Sequence, residues 1–194
     1  SLLQFDPDLG RYSLHALVQQ FAGEMLAEEG ETTVSLRTAH MTDYAAVLDE
    51  LTPQLSGKAP QLVYAAIQAE IDNVQVAWQE AVARLDVASL TKLTEPLMQF
   101  YMRQGWFRKG QERARVAIQA LQASGRREKT AVQLMSSLLA WQGSLIGRIG
   151  QFDTAETTLK QSLQLARQAA DPHLVAFALL ELGHLLRDHS RFDE

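Results

Sequence analysis

Gly143-x6-Gly150-x-Phe152-Asp153-x-Ala155-x3-Leu159 is the stretch whose reading decides the fold of this chain. It recurs as Gly183-x6-Ser190-x-Phe192-Asp193, shifted by 40 residues. A looser copy lies upstream as Gly105-x-Phe107-x2-Gly110-x3-Ala114-x2-Ala117-Ile118, shifted by 45. Periods in this range belong to stacked helix pairs. The physical logic is local. A small residue such as Gly143 or Gly183 lets two helices approach closely. The Gly-x-Phe turn reverses the chain and plants an aromatic ring between them. Ala155 stands where the partner backbone is nearest.

Working outward, the apolar spacing predicts helix after helix. One helix is expected over Thr33–Leu51, followed by a loop marked by Pro53, Gly57 and Pro60. A long pattern then runs from Leu62 to Leu85, with Ile67, Ile71, Val74 and Trp78 on one face. Asp86 has the chemistry to cap the next helix, which Gly105 ends. Further helices are expected over about 107–123, 128–148 and 153–170. Asp171-Pro172 reads as a cap followed by proline at the first helical position of a last helix. Short connections imply antiparallel neighbours.

The first 30 residues differ. Leu2 to Phe5 and Arg11 to His15 are short apolar-rich runs around Asp6-Pro7-Asp8-Leu9-Gly10, which is turn chemistry. They predict a β-hairpin, followed by a helix over Ala16–Glu29 that Gly30 ends.

Composition agrees with a mostly helical chain. The 194 residues are 46% apolar and 21% charged, so disorder is excluded. With no cysteine there are no disulfides, no thiolate nucleophile and no cysteine-ligated zinc. The uncharged stretch Thr130–Gly147 is interrupted by Gln133, Ser136, Ser137, Gln142 and Ser144, which favours a buried helix over a membrane span. The net charge of −5 is unevenly spread. Residues 1–60 hold 3 basic and 9 acidic side chains, whereas residues 101–150 hold 9 basic and 2 acidic. The chain begins at Ser1 inside an apolar run and stops where a helix would begin, which reads as a piece cut from a longer protein.

The repeated motif resembles the tetratricopeptide repeat, with Ser162-Leu163 at the place of its Ala-Leu pair. The upstream copy departs from it, having Met98 for the small residue and Gly110 for alanine. The first part resembles the end of the winged-helix domain of STAND signalling ATPases. Arg11-Tyr12-Ser13-Leu14-His15-Ala16-Leu17-Val18 carries that likeness, with Leu14-His15-Ala16 standing where many relatives read Met-His-Asp. Arg37-x2-His40-x3-Tyr44, Leu51-x-Pro53 and Glu70-x-Asp72-Asn73-x3-Ala77-Trp78 continue it toward the transcription-regulator branch.

The resemblance implies an all-α, tetratricopeptide-like solenoid of antiparallel helix pairs preceded by the hairpin and helix. It implies residues 1–30 as the end of a winged-helix domain, 31–86 as a helical linker and 87–194 as repeats. It also implies that His15 contacts the nucleotide diphosphate in a full-length parent that uses ATP or ADP. This chain has no Gly-x4-Gly-Lys-Ser/Thr loop and no nucleophile elbow, so no cofactor and no catalysis are expected of it. A cytoplasmic sensor or interaction fragment is expected, contacting the parent's ATPase domain and holding a protein or peptide in its groove. No membrane contact is expected.

Candidate partner-binding residues are Gln99, Arg103, Arg108, Lys109, Gln142 and Arg187. Two alternatives remain at this point. One is a small-molecule effector domain. The other is a nucleic-acid-binding module using the basic segment 103–129. DNA contact by the hairpin itself is disfavoured, because Asp6 and Asp8 would face phosphates. Glu181-x2-His184 and His189 carry too few ligands for a metal site. His40 reads as packed, and His173 as exposed.

Overall fold

The computed structural model describes residues 3–6, 11–14 and 30–190. His15, the expected helix over 16–29 and residues 191–194 lie outside them. The chain forms two compact units, residues 1–40 and 41–194.

In the first unit β1 (Leu3–Asp6) pairs antiparallel with β2 (Arg11–Leu14), Leu3 opposite Leu14 and Asp6 opposite Arg11. Helix α1 (Gly30–Leu51) begins at the glycine that reads as a helix stop in the sequence.

All other elements belong to the second unit, and all are helical. A 3-10 turn (Thr52–Ser56) leads to α2 (Pro60–Ala69) and α3 (Ile71–Arg84). Then follow α4 (Val87–Gln104), α5 (Phe107–Ser124) and α6 (Lys129–Arg148). The last two are α7 (Phe152–Gln168) and α8 (Pro172–Ser190). Where one helix was expected over Leu62–Leu85, two are found. The break falls at Glu70, whose carboxylate accepts from the Tyr44 hydroxyl and from the Asn73 carboxamide, each at 2.8 Å. A tertiary hydrogen bond thus occupies the position where the helix is interrupted.

Helices α6 and α7 are antiparallel, as residue pairs across them show. Ser136 meets Ser162, each hydroxyl donating to the other's carbonyl at 2.9 and 2.7 Å, while Gly143 meets Leu159. Numbers rise on one helix as they fall on the other. Alternate helices are parallel instead. Ser144 Oγ donates to Glu181 Oε2 at 2.6 Å and Arg148 pairs with Asp188 at 3.6 Å, so numbers rise together from α6 to α8. Gln133 reaches the α8 cap Asp171 with a separation of 38, the same 38 by which Gln75 on α3 meets Arg113 on α5. Tyr64 on α2 reaches Gln99 on α4 across 35 residues. The arrangement is repeat-like: α4, α5, α6 and α8 each pack on the helix two places earlier, whereas α7 scarcely touches α5.

The turns share one hydrogen-bond pattern. At Gly105-Trp106 and Gly150-Gln151 paired 4→1 and 6→1 backbone bonds close the helix end, and Leu85-Asp86 and Ala170-Asp171 repeat it. The first residue of each pair has positive φ: 71° at Gly105, 83° at Gly150, and 52° at both Leu85 and Ala170. An L side chain in this conformation costs about 1–2 kcal/mol. Ala170→Gly, at an exposed position, is therefore expected to raise unfolding stability by about 0.5–1 kcal/mol in urea titrations.

Two aspartates act as the sequence predicts. Asp86 Oδ1 accepts from the Ser89 N–H at 2.8 Å. Asp171 Oδ1 accepts from the His173 and Leu174 N–H groups at 3.0 and 3.2 Å, and its Oδ2 takes the Gln133 carboxamide at 2.7 Å. Desolvation works to raise the pKa of Asp171, but the Leu174 N–H, Gln133 and His173 together hold it below 3.8. Asp171→Ala is expected to cost about 1 kcal/mol at neutral pH. The folded pKa is the lower one, so this contribution is complete above the unfolded value. It fades as pH falls through the folded value. Chemical denaturation of both chains at pH 7 and below pH 3 reads the difference, which should shrink in acid.

One hydrophobic core runs from Met41 and Leu48 through Trp78, Leu90 and Phe100 to Leu145. The stretch 41–86 therefore shares its core with the helices that follow. A smaller cluster joins Ala140, Ile146, Ala155, Leu159 and Leu185. Helix α6 is central, with every residue from Leu138 to Ile146 buried, which explains its uncharged sequence. Among the described residues no helix is long and apolar enough to cross a membrane.

Candidate functional site

Because alternate helices lie side by side, residues about 35–40 apart come together on one face. Tyr64 of α2, Gln99 and Arg103 of α4, and Trp141 and Arg148 of α6 line one open depression of about 500 Å³, with Phe107 at its edge. Phe107 also borders a second depression of about 470 Å³, formed by Trp106, Arg108, Lys109 and Ile149 at the α4–α5 and α6–α7 turns. Both depressions are lined by that ring.

The aromatic side chains are anchored. Trp106 stands edge-on to the buried Phe100, centroids 5.6 Å apart, and Lys109 Nζ sits 4.7 Å from its ring centre. Trp141 packs against Phe177 with centroids 4.9 Å apart. Rings held this way present area with little entropy left to lose. Tyr64 donates to Gln99 at 3.4 Å, and Gln99 donates to Glu95 at 3.0 Å.

Four cations, Arg103, Arg108, Lys109 and Arg148, stand around these rings. Arg148 is shared with Asp188, while Arg103 and Arg108 have no carboxylate within ion-pair distance among the described residues. Such a surface attracts anions and stacks planar groups.

Of the residues singled out from sequence, Gln99, Arg103, Arg108 and Lys109 meet here. Gln142 does not line the depression and is only 9% exposed, because α6 is enclosed on nearly all sides. Arg187 is exposed and turned onto its neighbour Asp188 at 3.1 Å. Tyr64, Trp141 and Arg148 were not identified as lining residues. Tyr64 lies 35 residues before Gln99 and Trp141 lies 38 after Arg103, so the motif's own shifts of 40 and 45 do not land on them.

The remaining candidates have local roles. Glu181 takes the Ser144 hydroxyl, with His184 Nδ1 3.7 Å from its other oxygen. No group of three potential ligands able to hold a metal occurs among the described residues. His40 is half-buried, His173 is exposed, and the Arg113 guanidinium donates to Gln75 at 3.3 Å. Arg113 lies beside the fully buried Tyr101, whose hydroxyl has no hydrogen-bond partner. Burial pushes the Tyr101 pKa up, against the pull of that guanidinium.

Comparison with protein-family models, with curated proteins and with solved structures finds no match to this chain.

Proposed function

We propose that this chain is a non-catalytic sensor and protein-interaction fragment of a cytoplasmic STAND-type signalling ATPase or transcriptional regulator. In this reading β1 and β2 are the end of a winged-helix domain, and the helices from α4 onward are tetratricopeptide-like repeats of a solenoid. The face built by α2, α4 and α6 takes a protein or peptide segment.

The observation that carries the reading is the packing of alternate helices through pairs 35–40 residues apart, with Tyr64, Gln99 and Trp141 of three alternate helices lining one depression. A solenoid of helix pairs produces such a lining by construction. The closure of Tyr44, Glu70 and Asn73 into one hydrogen-bonded group supports the likeness of residues 37–78, since three of its quoted positions then serve one structural purpose.

Selection of a displayed peptide library on the chain tests the groove. Enriched peptides are expected to be acidic, and the double variant Arg103→Glu, Arg148→Glu is expected to weaken them at least about tenfold. Undiminished binding to that variant overturns the groove assignment. Competition by single-stranded DNA at the same site favours the nucleic-acid alternative instead. The family reading is tested separately in the natural gene. A phosphate-binding loop encoded upstream of Ser1 is expected, and in the parent His15→Ala should hasten ADP release. Absence of that loop removes the reading.

A further inference from the structure

Helices α5 and α7 both pack on α6 but scarcely touch one another. The gap between them is a half-enclosed cleft of about 380 Å³, floored by Leu121, Met135, Leu139 and Leu165 and rimmed by Gln161, Gln164 and Gln168 and the α5–α6 turn. It lies apart from the depression of α2, α4 and α6, and shares no lining residue with it.

Its volume falls in the range of small-molecule sites, and its plan is theirs: an apolar floor with a few polar groups at the mouth. The charge is one-sided. Two arginines and no acidic residue line it. Arg126 is committed, donating to the Leu85 carbonyl at 2.9 Å and facing Glu128 at 3.7 Å. Arg127 is exposed and has no carboxylate within ion-pair distance among the described residues. The three glutamines follow one another along one side of α7 and offer carboxamide donors beside it. Among the described residues no aromatic ring lines the cleft, which gives a sugar or base no stacking platform there. Met135, half-buried and unbranched, lets the floor adapt to an apolar body.

The geometry points to a binding site for a small amphiphilic carboxylate, its apolar body on Leu121, Met135, Leu139 and Leu165 and its carboxylate on Arg127. A guanidinium fork matches a carboxylate. This inference stands independently of the peptide groove, and the two fail independently.

Decanoate, used below its micellar concentration with methyl-labelled methionines, provides the test. The Met135 methyl resonance is expected to shift saturably while the buried Met41 and Met98 stay in place. Decanol is expected to bind at least about tenfold more weakly. Arg127→Glu should weaken decanoate by a similar factor with unchanged thermal unfolding, since Arg127 is exposed. Equal binding of decanol, an unaffected Arg127→Glu variant, or absence of a saturable Met135 shift each overturns the assignment. Shifts spread equally over all methionines show general detergent action and overturn it too.

Discussion

Trp78→Ala is expected to remove about 3–5 kcal/mol of unfolding stability. Trp78 is 1% exposed and belongs to the continuous core from Met41 to Leu145. Truncation forfeits the transfer free energy of the indole and leaves a cavity that neighbours such as Val74 and Ala81, themselves fully buried, fill only in part. The prediction has a second edge. Because residues 41–86 share one core with α4 to α6, the variant should unfold in a single shifted transition. Urea unfolding followed by circular dichroism checks both points. A two-step curve, with α6 to α8 surviving the loss of α1 to α3, would show the shared core to be energetically divisible.

Gly143→Val is expected to cost about 3 kcal/mol, at the upper end of ordinary overpacking. A Cβ at this position would lie 2.6 Å from Leu159 Cγ, 2.9 Å from its Cδ2 and 3.2 Å from the Ala155 carbonyl oxygen. Leu159 and Ala155 are both 0% exposed, so the side chain has no space to retreat and the backbone oxygen cannot swing aside. The matched control is Gly183→Ala. Gly183 holds the same place in the repeated motif, and among the described residues nothing lies within 4 Å of a Cβ there. Its replacement should gain about 0.5–1 kcal/mol from helix propensity. Opposite signs at the two glycines, read by denaturant midpoints, are the expected result. Equal small effects would show that α7 yields and that the α6–α7 approach is not tightly set.

Much of the chain's local structure is legible in its sequence because its causes are local. Asp86 and Asp171 carry carboxylates one position before a helix, and both accept the expected N–H bonds. Gly105 and Gly125 stop helices because they enter positive φ without a Cβ clash. The same conformation at Leu85 and Ala170 went unread, since neither residue type signals it. The break at Glu70 went unread too, because its associated partner Tyr44 lies 26 residues away.

The candidate sites divide in the same way. The basic and aromatic run from Arg103 to Lys109 was visible as composition, and its clustering at one end of α4 and α5 follows from the Gly105 turn. That Gln142 is buried while Gln99 lines a depression depends on how many helices surround each one. The cleft between α5 and α7 has no sequence motif, because it is a gap between helices whose neighbours lie elsewhere.

Most helix ends are legible in the sequence, among them the caps at Asp86 and Asp171 and the stops at Gly105 and Gly125, as is the recurrence of the motif around Gly143. Periodicity, capping and short turns act over a few residues and need no knowledge of the rest. Tertiary packing settles where the long run from Leu62 is interrupted, which polar side chains remain in solvent, and where two helices part to leave a cavity. Those outcomes depend on the placement of residues tens of positions apart, and close packing fixes them collectively.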